Sequence, residues 1–266
     1  LMIGTQAGFT FSGLKDFMAG GRELAHAELI GALLIAGFGT LISLFPFHSW
    51  AAPAYASAPA PVAMMHAGVL KKFGLYGLFM FQPLMETGFL PWTNILLVLL
   101  VCNVIWVGYV TVNQKRLDLL LGNSSVMHMG YIFLAFAALV ASGSAEANPW
   151  ALKGAALLML AHGLTIALLF LLCGQIEKQT GTLEINSLGG LSTRLPRMAF
   201  VFGLAGMASI GLPGLANFPG EFMVFFSGFA GFNDSFGPVQ IATILCLWGL
   251  VIGAVYMPVS YTHLTL

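Results

Sequence analysis

Two stretches, residues 90–112 and 119–141, run without a single Asp, Glu, Lys or Arg. A helix needs about 20 apolar residues to cross roughly 30 Å of hydrocarbon, and both stretches are long enough. Further apolar runs cover 27–47, 62–81, 150–174 and 239–257, and 197–229 forms one longer run. Charged residues make up only 8% of the chain, where soluble domains carry about 25%. A soluble fold of this size cannot cover its surface with so few charges. The chain therefore reads as an integral membrane protein whose first partner is the lipid bilayer. Allowing about ten residues per connection, its length admits seven or eight helical segments in one transmembrane domain, residues 1–266. A membrane barrel would show short alternating strands, so the expected fold class is all-α, a polytopic helix bundle.

Composition also removes several functions. The net charge is zero and no basic cluster exists, so no nucleic-acid partner is expected. Cys102, Cys173 and Cys246 lie far apart inside apolar runs, which offers neither a disulfide framework nor a Cys-x-x-Cys metal site. No phosphate loop, no Gly-x-Ser-x-Gly and no His pair at metal-ligand spacing occurs. Leu1 opens the chain with no charged n-region before a cleavage site, so no signal peptide is expected. The abruptly polar stretch from Pro258 to Leu266 reads as a helix end or a non-native tail, and both ends read as truncated.

Two regions break the helical pattern. Residues 48–61 hold Pro53, Pro59 and Pro61 with small residues and no charge, which predicts an irregular or re-entrant segment packed within protein. The run 197–229 is interrupted at Gly211-Leu212-Pro213-Gly214 and again at Pro219-Gly220, which predicts two half-helices around an unwound centre. Lys115 and Arg116 lie in the 113–118 loop and Lys178, Arg194 and Arg197 in 175–197, whereas 142–149 and 230–238 carry neither Lys nor Arg. That alternation places 113–118 and 175–197 on the cytoplasmic side. Lys15 and Arg22 fall on the other side in this count, diluted by Asp16 and Glu23.

Ionisable groups inside apolar runs are costly, about 2.5–3.5 kcal/mol each on insertion scales, and so default to functional candidates. Here they are Lys71, Lys72, Glu221, His66, His128 and His162, with His48 and Lys153 nearer span ends. Imidazole exchanges protons near neutral pH, and such groups on several helices can pass a proton through hydrogen-bonded water. Lys71 and Lys72 point about 100° apart on a helix, so one is expected to face the interior and the other to snorkel or pair. Ser124 and His128 share a helix face, placing hydroxyl beside ring. Glu221 follows Pro219-Gly220, which admits two roles: proton carrier, or cap of the second half-helix. His66 reads as packing and Lys153 as an interfacial anchor.

The carrying motifs are Phe45-Pro46-Phe47-His48-Ser49-Trp50, Ala58-Pro59-Ala60-Pro61 and Ala67-Gly68-Val69-Leu70-Lys71-Lys72-Phe73-Gly74-Leu75-Tyr76-Gly77. Ser124-Ser125-Val126-Met127-His128-Met129-Gly130, His162-Gly163-Leu164 and Leu188-Gly189-Gly190-Leu191 come next in order. Gly211-Leu212-Pro213-Gly214 and Asn217-Phe218-Pro219-Gly220-Glu221-Phe222 complete the set. Together they resemble the antiporter-like subunits of proton-pumping NADH–quinone oxidoreductase (respiratory complex I), with subunit M, or chain four, the nearest match. The resemblance implies a bundle of inverted repeats with discontinuous transmembrane helices, of which this chain holds roughly the second half. It implies proton transfer through Lys72, His128, His162 and Glu221, with His48, His66 and Lys71 as accessories. It also implies that this chain binds no cofactor, while partner subunits hold NADH, quinone, FMN and iron–sulfur clusters. Other membrane-arm subunits, antiporter-like neighbours among them, would be its partners, and a bacterial inner membrane or its mitochondrial or plastid equivalent its location.

Two positions depart from the pattern. Leu41 stands where the family has a lysine, and Pro53-Ala54-Tyr55 replaces the usual Asp-Ala-His. The same motifs also resemble sodium/proton antiporter subunits and membrane arms of hydrogenase-type complexes, and Leu41 keeps a non-pumping scaffold open as a fourth reading.

Overall fold

The charge-free stretches become the long helices. The computed structural model describes residues 10–20, 24–230 and 236–265. Arg22, Glu23, most of the 230–238 connection and Leu266 lie outside the described residues. Among those described, the only strand-like feature is one antiparallel bridge between Arg116 and Glu184.

Helix α1 (Phe11–Ala19) starts at Thr10, whose hydroxyl accepts the Gly13 N–H at 3.1 Å. Helix α2 (Ala27–Ile42) leads into a turn through a cis Phe45–Pro46 bond. Helices α3 (Ala51–Ser57) and α4 (Ala60–Met65) come after it, then a π-helical turn at His66–Leu70 and helix α5 (Lys71–Met80). Next come the long helices α6 (Thr93–Val112), α7 (Leu117–Ser142) and α8 (Pro149–Thr180). A one-turn α9 (Leu191–Arg194) precedes α10 (Pro196–Ser209), α11 (Asn217–Ser227) and α12 (Pro238–Thr265). Among the described residues, four segments are long and apolar enough to cross a membrane: Glu86–Val112, Leu117–Ser142, Pro149–Thr180 and Pro238–Thr265.

Helix α7 is the axis of the bundle. It is buried almost without interruption from Leu117 to Val140, with α3, α6, α8, α11 and α12 packed around it. Lipid supplies no hydrophobic drive between helices, so close packing at small residues holds them together. Helix α8 meets the π turn at Gly163, where a Cβ would lie 2.6 Å from the Gly68 carbonyl oxygen.

Three expectations about the breaks need correction. Residues 48–61 are not wholly irregular, because α3 is helical with Pro53 in its first turn, where a missing N–H leaves no helical bond unmade. The break narrows to Ala58–Pro59, where proline holds the preceding residue extended (φ −89°, ψ 148°). The second region has one interruption rather than two, for Pro219-Gly220 lies inside the first turn of α11. The last span does not stop at 257 either, since α12 continues through Pro258 to Thr265. Its hydroxyls turn back on the helix's own carbonyls, buried Ser260 donating to Tyr256 (2.7 Å) and exposed Thr262 to Pro258 (2.8 Å).

Candidate functional site

Each ionisable group of the bundle interior sits where one helix meets another. Helix α5 packs against α2, α7 and α8, with Tyr55 of α3 beneath Lys71, and so both of its lysines are buried, Lys71 at 0% and Lys72 at 7% exposure. This corrects the expectation that one would snorkel: consecutive residues point to different neighbours, and here both neighbours are protein. Lys72 Nζ donates to the Ala67 carbonyl, and its Cε lies 3.8 Å from where a Cβ on Gly163 would stand. Gly163 thereby admits the lysine chain beside His162, the residue before it.

His162 on α8 and His128 on α7 stack with ring centroids 4.9 Å apart and planes 16° from parallel. His162 Nε2 lies 3.4 Å from the Ser125 hydroxyl, and its Nδ1 is buried without a partner. His128 Nδ1 lies 2.8 Å from the Ser124 carbonyl oxygen and Nε2 2.8 Å from that of Ser209. The Ser124 hydroxyl does not serve His128, as its spacing had suggested, but pairs with the Tyr256 hydroxyl at 2.6 Å. Carbonyl oxygens only accept, so both contacts of His128 are hydrogen bonds only when both ring nitrogens carry a proton. A neutral ring keeps one and loses the other.

The Ser209 carbonyl is available because α10 ends there. Beyond it the chain turns at Gly211 (φ 71°), and a Cβ on that residue would stand 1.9 Å from Glu221 Oε2. Glu221 Oε1 is 3.9 Å from His128 Nε2 and has no hydrogen-bond partner. Glu221 is the fifth residue of α11, whose N-cap is Ala216 with no side-chain cap. The capping role is therefore set aside, because the carboxylate lies one turn too deep for it. Phe218, Phe222, Phe225 and Phe226 wall a cleft of about 350 Å³ beside Glu221. Lys72, His162, His128 and Glu221 thus form one buried row across α5, α8, α7 and α11.

Gly211→Ala tests how tightly that row is built. A side chain at a left-handed position costs about 1–2 kcal/mol, and the added methyl displaces the Glu221 carboxylate. The expected result is a protein that folds less stably and holds the carboxylate away from His128, checked by thermal melting alongside proton flux in vesicles.

The match that decides the family covers residues 1–246 and is described as NADH:quinone oxidoreductase/Mrp antiporter, transmembrane. The chain belongs to that family. NAD(P)H-quinone oxidoreductase chain 4-2 of Synechocystis sp. is 35% identical over 247 residues, covering 92% of this chain and 42% of its own length. Chain 4 1 from Synechococcus elongatus is 36% identical over 249 residues, with 92% and 44% covered. The chain thus spans less than half the length of these relatives. One chain of respiratory complex I from Thermus thermophilus with bound NADH superimposes with a TM-score of 0.84 at 26% identity, over 98% of this chain and 52% of that one. A membrane-bound sulfane sulfur reductase, an archaeal respiratory complex, gives 0.74 at 24% identity over 86% and 45%, a likeness of fold alone.

In this NADH:quinone oxidoreductase/Mrp antiporter family member, the other candidates stay off the row. Half-buried His48 stacks on Phe45 at 5.2 Å. His66 lies 3.3 Å from the Tyr55 hydroxyl and edge-on to Trp50. Lys71 Nζ has no hydrogen-bond partner and sits over the Tyr55 ring. Lys153 is exposed, as an interfacial anchor would be. Leu41 is 38% exposed and packs toward α5 near Gly74. Sequence reading missed Asn103, which is fully buried and pins the turn after α2. Its Oδ1 accepts the Phe45 N–H, while Nδ2 donates to the Ser43 (3.1 Å) and Val126 (3.3 Å) carbonyls. An amide inside a charge-free run was the available signal. Tyr131, edge-on to His128 at 5.5 Å with its own hydroxyl unpaired, left no such mark.

Proposed function

We propose that this chain is part of a membrane-arm subunit of a proton-translocating NAD(P)H–quinone oxidoreductase, in which protons pass along Lys72, His162, His128 and Glu221. The row itself carries the reading. Isolated ionisable groups in a membrane core are costly, and four such side chains gathered from four helices repay that cost only by acting together. The names of the relatives support the assignment to a quinone oxidoreductase. NADH, FMN, iron–sulfur clusters and quinone then belong to partner subunits, and the work reaches this chain through neighbouring membrane-arm subunits in an energy-transducing membrane, such as a bacterial inner membrane.

In this reading Lys72 loads the histidine pair. Its ammonium gives a proton toward His162, whose unpaired Nδ1 is open to receive it. The stacked rings bring His128 next in line, and His128 in its doubly protonated form is held by two carbonyls with Glu221 as its counter-charge. The Glu221 carboxylate then takes the proton from the Nε2 side. Lys72→Ala in the full-length subunit, within the assembled complex, is expected to cut proton translocation about 10²-fold, the low end of what a positioned proton-transfer group contributes, while electron transfer and assembly persist. Parent-like pumping would reduce Lys72 to a packing residue. A complex that drives sodium/proton exchange without quinone reduction would instead place the chain with the antiporters of the same family.

A further inference from the structure

The buried groups that the row leaves unused cluster at the α3–α4 break. Lys71 is fully buried with no hydrogen-bond partner, and its Nζ lies 5.6 Å from the centre of the Tyr55 ring. The Tyr55 hydroxyl lies 3.3 Å from His66 Nδ1. The π turn binds His66 to Lys71 through the Lys71 N–H and the His66 carbonyl, so these two residues, five apart, stand over one another. Single π turns recur at functional sites because they realign side chains in this way.

On its other side Tyr55 lines a small cavity of about 30 Å³, together with Ala58, Asp118, Cys173 and Glu177. A water needs roughly 10–15 Å³ of such space, so there is room for about two. Asp118 is buried and held by Arg116 at 2.6 Å, whereas Glu177 is exposed. The cavity therefore joins an exposed acidic residue at the Lys/Arg-bearing end of the bundle to buried Tyr55. The small residues Ala58 and Ala60 at the helix break leave the space open.

We infer that Tyr55 and His66 form a proton-uptake relay that loads Lys71 from the Lys/Arg-bearing end of the bundle. This rests on the proton-translocating reading above and adds a route into it. A water in the cavity gives a proton to the Tyr55 oxygen while the tyrosine's own proton passes to His66 Nδ1. His66 then releases a proton from Nε2 to the free amine of Lys71. Tyr55 returns to its starting state, the water side loses one proton and Lys71 gains it. His66 is left with its ring proton on Nδ1, which must exchange back to Nε2 before the next transfer. Tyr55 takes the place of the histidine that resembling sequences carry after the Trp, which explains how a tyrosine is tolerated there: it too can accept and donate at one atom.

The test uses the full-length subunit in its assembled complex, reconstituted in vesicles, with proton flux normalised to assembled complex. Tyr55→Phe keeps the ring over Lys71 and against Phe170 but removes the hydroxyl. It is expected to slow proton flux at least tenfold, and Tyr55→His to restore at least half of the parent rate. Lys72→Ala is measured beside them. If Tyr55→Phe pumps like the parent while Lys72→Ala does not, the uptake relay is wrong and the translocating row stands. If Tyr55→Phe fails and Tyr55→His fails equally, the Tyr55 hydroxyl only holds His66 in place and the relay is wrong. If neither Tyr55→Phe nor Lys72→Ala alters flux, both the relay and the translocating reading fall.

Discussion

Glu221→Gln is expected to assemble at parent levels and to lose about 10²-fold in proton translocation, within the range a positioned acid–base group supplies. The amide keeps the shape of the carboxylate and one acceptor, so packing against Gly211 survives. What it cannot do is take up and release a proton. It also removes the negative charge that lies 3.9 Å from His128 Nε2, so a doubly protonated His128 loses its counter-charge in a medium that screens poorly. Glu221→Ala should add a loss of stability of about 1–3 kcal/mol, through the void it opens beside Gly211 and His128. The ratio of protons moved to electrons transferred, read in reconstituted vesicles, separates the two variants. Flux equal to the parent in the Gln variant would take the carboxylate out of the path. Helix capping would not rescue a structural role, because Glu221 stands at the fifth position of α11.

The largest structural effect is expected from Asn103→Leu. Leucine suits the apolar run better than asparagine by composition, yet it removes the side chain that ties α6 to the turn after α2. The Phe45 N–H and the Ser43 carbonyl then face an apolar surround with no partner. Each stranded group costs about 1–3 kcal/mol, and the total of about 2–6 kcal/mol is enough to unseat the turn that presents His48 and starts α3. Less assembled complex and a lower melting temperature in detergent are the expected readouts. Parent-like melting would mean that water or a neighbouring group already satisfies the turn.

The membrane class, the all-helical fold and the two breaks were legible before any coordinates, and for a common reason. Charge is expensive in hydrocarbon and proline cannot donate to a helix, so Lys, His and Glu inside apolar runs, and Pro and Gly within them, stand out at one glance. The four residues of the row were found in this way. Lys71 and Lys72 show where that logic ends. Their angular separation is a local property and predicts opposite environments, but burial depends on what flanks α5. Only the packed structure surrounds α5 with α2, α7 and α8 and sets Tyr55 of α3 against Lys71.

The same division runs through the whole site. Sequence by itself singled out which groups would be costly in the membrane, because insertion cost acts on each residue separately. Tertiary structure alone decided what each buried group meets. The Ser209 carbonyl reaches His128 across 81 positions, the Ser125 hydroxyl reaches His162 across 37, and Asn103 reaches Ser43 across 60. Such contacts arise from helix crossings and from where α10 unwinds, and no local periodicity encodes them. The pairing of Tyr55 with His66 and Lys71 belongs to the same class. Three residues from separate segments become one cluster because a helix breaks at Ala58–Pro59 and a π turn rotates Lys71 back over His66.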